Sequence, residues 1–312
     1  MFSTKPFNSI FDLMQAFPNE EACIKHLESL RWDNNVVSPF DEKSTVYKLK
    51  NNKYKCRNTN KYFNVRTGTI FEGTKIPLQQ WFLAIYLFTS HKKGISSHQL
   101  AKDLDITQKS AWFMLQRIRY AMEHDIFKKY MEGVIEVDET FVGGKNRNRH
   151  HDKKVEKAQG RSFKDKTPLV GLLNKDINRV ICFVSTDTSK ESLHPILKAN
   201  IKEGSVLISD EWKGYEGLEN IFQREIVDHS RKQYLNDNEA TTNGIENFWS
   251  HFKRGWASTY SGRITPKHLQ KYADEFSFRY NSKNDAVDDR FNLFLTGTYG
   301  KRLTYQKLIR ND

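Results

Sequence analysis

"GVIEVDETFVGGKNRNRHHDKK", residues 133–154, joins an apolar β-branched run to an acidic cluster and then to a run of cations. The β-branched residues predict a strand, and the two glycines predict a turn after it. Side chains alternate across a strand, so Glu136 and Asp138 share one face and Glu139 points to the other. Carboxylates at the end of a rigid strand are typical ligands of hard divalent cations, which makes Asp138 the first candidate.

The strand belongs to a longer pattern that is typical of an α/β domain. Apolar runs at 167–175, 179–187 and 205–212 predict three further strands, and 190–201 predicts a helix. We therefore expect a mixed sheet with flanking helices over residues 131–295, followed by a C-terminal tail at 296–312.

A basic loop interrupts this domain at residues 143–166. The loop has nine Lys or Arg residues, three acids and almost no apolar side chain. We expect it to lie against nucleic-acid phosphates, and a solvated loop without a partner is the alternative. The candidate contacts are Lys145, Arg147, Arg149, Lys153 and Lys154.

The overall composition favours a polyanionic partner. The chain has 312 residues, a formal net charge of +12 and 13% aromatic residues, with a pI near 9.4. Its three cysteines are far apart and form no C-x-x-C pair, which fits a reducing compartment. The longest apolar run has eight residues, far short of the roughly 20 that span a bilayer. These features predict a cytoplasmic, nucleoid-associated protein that binds DNA and no membrane.

Two modules are predicted before the α/β domain. Residues 1–76 contain short helices and a hairpin or ribbon, and residues 77–130 contain a helix-turn-helix in which Ser97 and Thr107 cap the two helices. We expect its second helix to present Lys109, Arg117 and Arg119 to DNA. An ordinary helical hairpin that never touches DNA is the alternative.

Two carboxylates further along the chain resemble Asp138 in their setting. Asp210 ends the apolar run "VLIS", and Glu246 falls in the first turn of a helix that we expect to begin near Asn243 and end at Gly255. Two Mg²⁺ ions (or Mn²⁺) about 4 Å apart, held by such carboxylates, can drive in-line phosphoryl transfer. Lys253 shares a helix face with Glu246, and with Arg254 it could bind phosphate. Each carboxylate alone is as readily a turn-former or a helix-dipole partner.

The motifs "IEVDETFVGGK", "ISDEWKGYEGL", "VDHS" and "TNGIENFWSHFKRG" resemble the IS1595-type, or ISXO2-like, insertion-sequence transposases over about residues 17–295. The resemblance implies an RNase H-like fold and a catalytic, metal-binding triad of Asp138, Asp210 and Glu246. It also implies supporting positions at Asn243 and His229, and Glu139 is a further supporting candidate. We expect a DNA transposase that binds the terminal inverted repeats of its insertion sequence as a homodimer and catalyses strand cleavage and transfer.

Two other functions remain open at this point. One is a domesticated or inactive DNA-binding repressor on the same scaffold, and the other is an RNase H-like nuclease that cuts without joining. Cleavage of element-end DNA in Mg²⁺ separates the repressor from the enzymes, and joined products separate the transposase from the nuclease.

The ribbon departs from the family pattern. Such transposases often carry a zinc ribbon with two cysteine pairs, but the matching segments here are Ser38–Asp41 and Cys56–Thr59, with one cysteine in all. One cysteine cannot make the tetrahedral sulfur site of a structural Zn²⁺. We therefore predict a degenerate, zinc-free ribbon held by aromatic packing of Tyr47, Tyr54, Tyr62 and Phe63; one equivalent of zinc in elemental analysis would contradict this.

Overall fold

The structure, a computed structural model, describes residues 6–33, 35–123, 130–144, 150–155, 165–227, 242–262 and 264–309. The chain divides into two compact units. Met1–Phe127 and Asn284–Asp312 contribute to one unit, and Lys128–Lys283 form the other.

The first unit begins with a helical segment, continues through a small sheet and then returns to helices. Its N-terminal elements are α1 (Ile10–Ala16), α2 (Glu20–Trp32), β1 (Val46–Lys48), β2 (Tyr54–Cys56), β3 (Tyr62–Phe63), α3 (Leu78–Ser90), α4 (Ser97–Leu104) and α5 (Gln108–Ala121). Buried aromatic rings dominate its core: Phe7, Phe17, Phe82 and Phe291 pack edge to face at centroid distances of 4.8–6.0 Å in four of their pairs. Such pairs add to the stability that apolar burial supplies.

The second unit has the predicted alternation of strands and helices. Its elements are β4 (Val134–Val142), β5 (Thr167–Asn174), β6 (Arg179–Val184), α6 (Lys190–Asn200), β7 (Val206–Ser209), β8 (Gln223–Ile226), α7 (Asn243–Ser258) and α8 (Pro266–Asn281). The five strands form one mixed sheet in the order β6-β5-β4-β7-β8. Strands β4 to β6 pair antiparallel, whereas β4–β7 and β7–β8 pair parallel.

The sheet of the second unit is buried on both faces. On one face Ile135, Val137 and Leu172 pack with Leu193 and Leu197 of α6. On the other face a second cluster joins the sheet to α7 and α8 through Leu169, Leu173, Val180, Ile245, Phe248, Trp249, Phe252 and Phe276. The structure thus has the predicted α/β architecture of a mixed sheet between helices, with β8 as a strand that the sequence reading missed.

The C-terminal residues belong to the first unit. Helices α9 (Val287–Thr296) and α10 (Tyr305–Ile309) follow α8, and residues 284–312 group with the N-terminal segment. Tyr299 forms a β-bridge with Thr69 and donates a hydrogen bond from its hydroxyl to the Leu27 carbonyl (3.1 Å). The predicted boundaries at 295 and 296 are therefore wrong as limits of compact units, because α9 and the tail share the core of the N-terminal unit.

The predicted ribbon is a three-stranded antiparallel sheet, β1-β2-β3. Tyr54 and Phe63 are buried and stack with ring centroids 5.6 Å apart, as expected for residues that hold the module together. Tyr47 and Tyr62 are exposed instead and lie on the outer face, where Lys55 pairs with both in the strand register. Two of the four aromatic residues therefore stabilise the module and two do not.

Cys56 lies at the degenerate ligand position and is fully buried. Burial raises the pKa of its thiol, but hydrogen bonds from the hydroxyls of Ser38, Ser44 and Thr59 and from the Thr59 backbone outweigh this and lower the pKa from 9.0 to about 6. Ser38 and Ser44 are themselves buried. Hydroxyl groups therefore surround the sulfur.

The helices α4 and α5 form the predicted pair around a short turn. Thr107 caps α5 by accepting the Ser110 N–H, whereas α4 is capped by Ser96 and not by Ser97. Helix α5 is buried on most of its surface, because it packs within the first unit. The predicted exposure is therefore wrong for two of its cations.

Arg117 and Arg119 are only 7% and 1% exposed, so neither is placed to contact DNA. Arg117 donates hydrogen bonds to the carbonyls of Leu303 (3.0 Å) and Ile70 (2.8 Å), which joins three segments of the unit. Lys109, at the start of α5, remains exposed with its ammonium 5.6 Å from the ring centre of Tyr305. The periodicity alone could not separate these cases, since arginine can be buried once carbonyl oxygens satisfy it.

The helices in the described part of the chain are all too short or too polar to cross a bilayer.

Candidate active site

The register of two parallel strands aligns Asp138 with Asp210. Val134, Ile135 and Glu136 of β4 pair with Val206, Leu207 and Ile208 of β7. Continuing this register by two residues sets Asp138 beside Asp210, which directly follows β7, on strands about 4.8 Å apart. Both side chains are partly exposed and line the same groove. The strand pairing thus brings together two carboxylates that are 72 residues apart in sequence.

Glu246 reaches this groove from α7, which packs against the same face of the sheet. Gly171 of β5 is the antiparallel partner of Asp138. A Cβ atom at Gly171 would lie 2.5 Å from Trp249 Cζ2 and 2.8 Å from Ile245 Cδ1, so the helix lies closer to the sheet than any side chain there would allow. Glu246 is in the first turn of α7, is exposed, and accepts the hydroxyl of Thr242 at 3.2 Å.

Glu136 fixes the start of α7. Its carboxylate is 1% exposed and accepts the backbone N–H of Ile245 at 2.8 Å and that of Gly244. Thr242 is the N-cap residue and makes no side-chain capping bond, so a carboxylate from β4 performs that role. Asn243, the predicted cap, is instead the first residue of the helix, and the helix continues past Gly255 to Ser258.

Burial raises the pKa of Glu136 above its ordinary value of 4.5, although the bonds from Ile245 and Gly244 and the Lys175 ammonium at 3.7 Å oppose the shift. A Cβ atom at Gly244 would lie 2.7 Å from Glu136 Oε2. Glycine at this position therefore lets the helix terminus approach the carboxylate closely.

Glu139 faces the opposite side of the sheet, as the strand alternation predicts. Its carboxylate accepts the hydroxyl proton of Tyr215, a fully buried residue. Burial, with the Glu139 charge, holds the pKa of Tyr215 well above 10.0. Glu139 therefore holds the segment that follows Asp210.

The groove combines acids with cations and has a volume of about 1170 Å³, above the roughly 300–1,000 Å³ of small-molecule pockets. Along α7, Glu246, Ser250, Lys253 and Ala257 line it at spacings of four, three and four residues, which is one exposed face of a helix. Lys166, where the chain returns from the basic loop, and Arg254 line it as well. The groove can therefore hold an extended anionic chain.

Most of the other predicted DNA-contact residues lie outside the described residues. Lys154 is exposed after a short 3-10 turn at His151–Lys153. Lys145, Arg147, Arg149 and His229 lie outside the described residues, as does the side chain of Lys153.

The donor chemistry of the groove fits a hard divalent cation at the two aspartates, because both supply carboxylate oxygens from one face. Within the described residues, no three His, Cys, Asp or Glu side chains are grouped closely enough to hold a metal ion. Glu246 accepts the Thr242 hydroxyl, so joining the aspartates would require its side chain to turn.

Sequence reasoning missed three residues that shape this site. Gly171 interrupts an apolar strand, a signal that another element approaches closely. Trp212 and Gly214 follow Asp210 in the segment "DEWKGY", where the tryptophan side chain is 41% exposed within the groove. An aromatic residue next to a candidate metal ligand was the available signal.

A carboxylate-bearing mixed sheet beside exposed cations is an arrangement suited to phosphate chemistry on nucleic acids, and the comparisons with known proteins point to a transposase. Residues 130–281 match the family model described as the ISXO2-like transposase domain. An uncharacterized protein in transposable element ISH50 of Halobacterium salinarum is 26% identical over 278 residues, which cover 85% of this chain and 92% of that protein. An uncharacterized transposase-like protein of Haemophilus influenzae is 29% identical over 105 residues, covering 33% of this chain and 82% of that protein.

The match to the ISXO2-like transposase domain is confined to residues 130–281. This confirms the resemblance that the sequence motifs carried, and the match covers β4 through α8.

Proposed function

We propose that the chain is a DNA transposase that binds the terminal inverted repeats of its insertion sequence and cleaves and joins DNA strands in the groove of the second unit. The observation that carries this is the alignment of Asp138 on β4 with Asp210, the residue after β7, in a region that matches the transposase family model. Under this proposal the second unit is an RNase H-like catalytic domain, and the strand order β6-β5-β4-β7-β8, with its mixture of antiparallel and parallel pairs, supports it.

Asp138, Asp210 and Glu246 are the proposed catalytic residues, and they would hold two Mg²⁺ or Mn²⁺ ions. When bound, such ions activate a water or a 3′-hydroxyl and stabilise the leaving oxygen. The residues of the chain itself position these carboxylates. Glu136 holds the helix that carries Glu246, and Arg224 donates to the Asp210 carbonyl at 3.3 Å and to Ser209 Oγ at 3.2 Å.

Exposed cations at two places are the proposed DNA contacts. Lys253 and Arg254 flank Glu246 along the groove and would bind phosphates next to the cleaved bond. The small sheet of the first unit is the second place, because residues 43–66 have eight Lys or Arg residues and no acid. There Lys55 lies between exposed Tyr47 and Tyr62 in the strand register, which suits contacts to a nucleic-acid backbone. Lys109 is a further candidate.

Two copies are proposed to act together on DNA, because transposition requires the two ends of the element to be joined in one complex. Zinc is not part of the proposal, since the ribbon position has a single cysteine.

The test is Asp138→Asn on DNA that carries the sequences flanking the gene. The variant should bind this DNA with the parental affinity, and its cleavage in Mg²⁺ should fall to background. Parental cleavage by the variant would exclude the assigned role of Asp138. Joined products from the parent distinguish a transposase from a nuclease that only cuts, and binding without any cleavage would indicate a repressor.

A further inference from the structure

Trp212 is an exposed aromatic ring in the groove. It follows Asp210 by two residues, and its side chain is 41% exposed, whereas Trp32, Trp81 and Trp249 are buried. Leaving a large apolar surface in water forgoes stabilisation of roughly 25 cal/mol per Å². A ring that stays exposed beside a candidate catalytic carboxylate is accessible to a ligand with an apolar face.

Three features hold the indole in place. Its Nε1–H donates a hydrogen bond to the Thr188 carbonyl at 2.8 Å, and its backbone N–H donates to Asp210 Oδ1 at 3.0 Å. A Cβ atom at Gly214 would lie 2.6 Å from Trp212 Nε1 and 2.6 Å from the Thr188 oxygen. Glycine at 214 is thus required for the hydrogen bond, and the ring is fixed before any ligand arrives.

The fixed position couples the ring to the proposed chemistry. Tyr215, three residues after Trp212, is fully buried and donates a hydrogen bond to Glu139, which anchors the segment. The backbone bond to Asp210 sets the indole and the carboxylate in one rigid turn. Whatever stacks on the ring is therefore held at a constant position relative to Asp210.

We propose that Trp212 stacks on a DNA base next to the cleaved phosphate, after that base has left the duplex stack. This inference rests on the proposed DNA-cleaving function and adds a base subsite to it. Stacking of a base on an aromatic side chain contributes about 1–3 kcal/mol and accepts any base, because every base has a π face. Unstacking is least costly where the bases are already unpaired, so the subsite prefers a frayed or single-stranded position.

The experiment compares two DNA probes in the Asp138→Asn background, where binding can be measured without cleavage. One probe is a fully paired duplex, and the other is the same duplex with two unpaired nucleotides at one 3′ end, one of them 2-aminopurine. We expect the parent to prefer the frayed probe and to quench its 2-aminopurine fluorescence. Trp212→Leu should lose that preference by about 10- to 100-fold and abolish the quenching, while Trp212→Phe keeps most of both.

Tyr130→Leu is the matched control, because Tyr130 is an aromatic residue of the same unit, 58% exposed, that does not line the groove. It should leave the preference and the quenching unchanged. A Trp212→Leu variant that retains both would overturn the inference, provided that its melting temperature shows an intact fold. Cleavage is measured separately in the protein that retains Asp138. If that protein never cuts DNA although the stacking signals depend on Trp212, the proposed function alone is contradicted. If it cuts DNA but Trp212→Leu leaves the stacking signals unchanged, the base subsite alone is contradicted.

Discussion

Gly171→Ala tests whether close packing of α7 on the sheet sets the position of the third carboxylate. The added Cβ would lie 2.5 Å from Trp249 Cζ2, while ordinary van der Waals contact begins at 3.4 Å. The indole must therefore retreat by about 1 Å, and Trp249 is buried at 3% exposure with little free space around it. Because Gly171 pairs with Asp138, this displacement acts directly opposite the first proposed metal ligand.

The expected losses differ for stability and for activity. Overpacking of a well-packed core costs typically about 1–3 kcal/mol, which lowers the melting temperature by about 2–4 °C for each kcal/mol in a unit of this size. A 1 Å misplacement of a catalytic group costs on the order of 100-fold in rate. Cleavage should therefore fall by about 100-fold while most of the protein remains folded at 25 °C.

The assay is single-turnover cleavage in Mg²⁺ of plasmid DNA carrying the sequences that flank the gene, with melting temperatures measured in parallel. Gly144→Ala is the control, because a Cβ at Gly144 meets nothing within 4 Å. Trp249→Phe removes the nearest atom that the new Cβ would strike and leaves the contact with Ile245 Cδ1, so the double variant Gly171→Ala/Trp249→Phe should recover more activity than the single effects predict when added. The packing argument would be refuted if Gly171→Ala cleaved DNA at the parental rate, or if the double variant lost as much activity as the two single effects added together.

Three further outcomes follow from other contacts. Arg117→Ala should lower the free energy of unfolding by about 2–4 kcal/mol in denaturant titrations, because it leaves the Ile70 and Leu303 carbonyls without their donor, and it should leave the salt dependence of DNA binding unchanged. Lys109→Ala should instead reduce the salt dependence of DNA binding and leave the free energy of unfolding unchanged. Glu136→Ala should cost about 2–4 kcal/mol, because the Gly244 and Ile245 N–H groups lose a buried acceptor, and it should reduce cleavage more than Lys175→Ala does. For Cys56, burial raises the pKa of the thiol while its hydroxyl donors lower it to about 6, so the folded state releases the thiol proton at a lower pH than the unfolded state does. The free energy of unfolding should therefore rise between pH 6 and 9 and fall again as the pH is lowered. Cys56→Ala should flatten this rise in denaturation series, and an unchanged slope would contradict the assignment.

The sequence predicted most of the α/β unit because its strands are strongly patterned. The segments assigned to β4, β5, β6, α6 and β7 appear where the apolar runs placed them. Strand β8 was missed because Gln223–Ile226 has three polar residues and only one apolar residue, so it has no apolar run. The local sequence pattern cannot predict that β4 pairs with β7, because this pairing joins segments about 70 residues apart and depends on packing of the whole sheet.

The predicted DNA contacts on α5 failed for a different reason. Helical periodicity identifies the apolar face, but it assigns every charged residue to water by default. Arg117 and Arg119 are buried because distant segments supply their partners: Arg117 donates to the carbonyls of Ile70 and Leu303, and Arg119 lies 5.6 Å from the ring centre of Phe88. Those partners come from α3, from residue 70 and from the C-terminal tail, so only the tertiary structure reveals them.

The acidic cluster of β4 is best understood as three carboxylates with three different surroundings. Glu136 is buried under the terminus of α7, and Glu139 is buried on the other face against Tyr215; each has an acceptor role that holds an element of the site. Asp138, between them, stays partly exposed in the groove. A buried carboxylate with satisfied acceptors is committed to structure, whereas a partly exposed one at a rigid position is accessible to a ligand. The strand alternation therefore separates the supporting carboxylates from the one proposed to bind metal, and replacing Glu136 or Glu139 should disturb the position of the site, whereas replacing Asp138 should remove its chemistry.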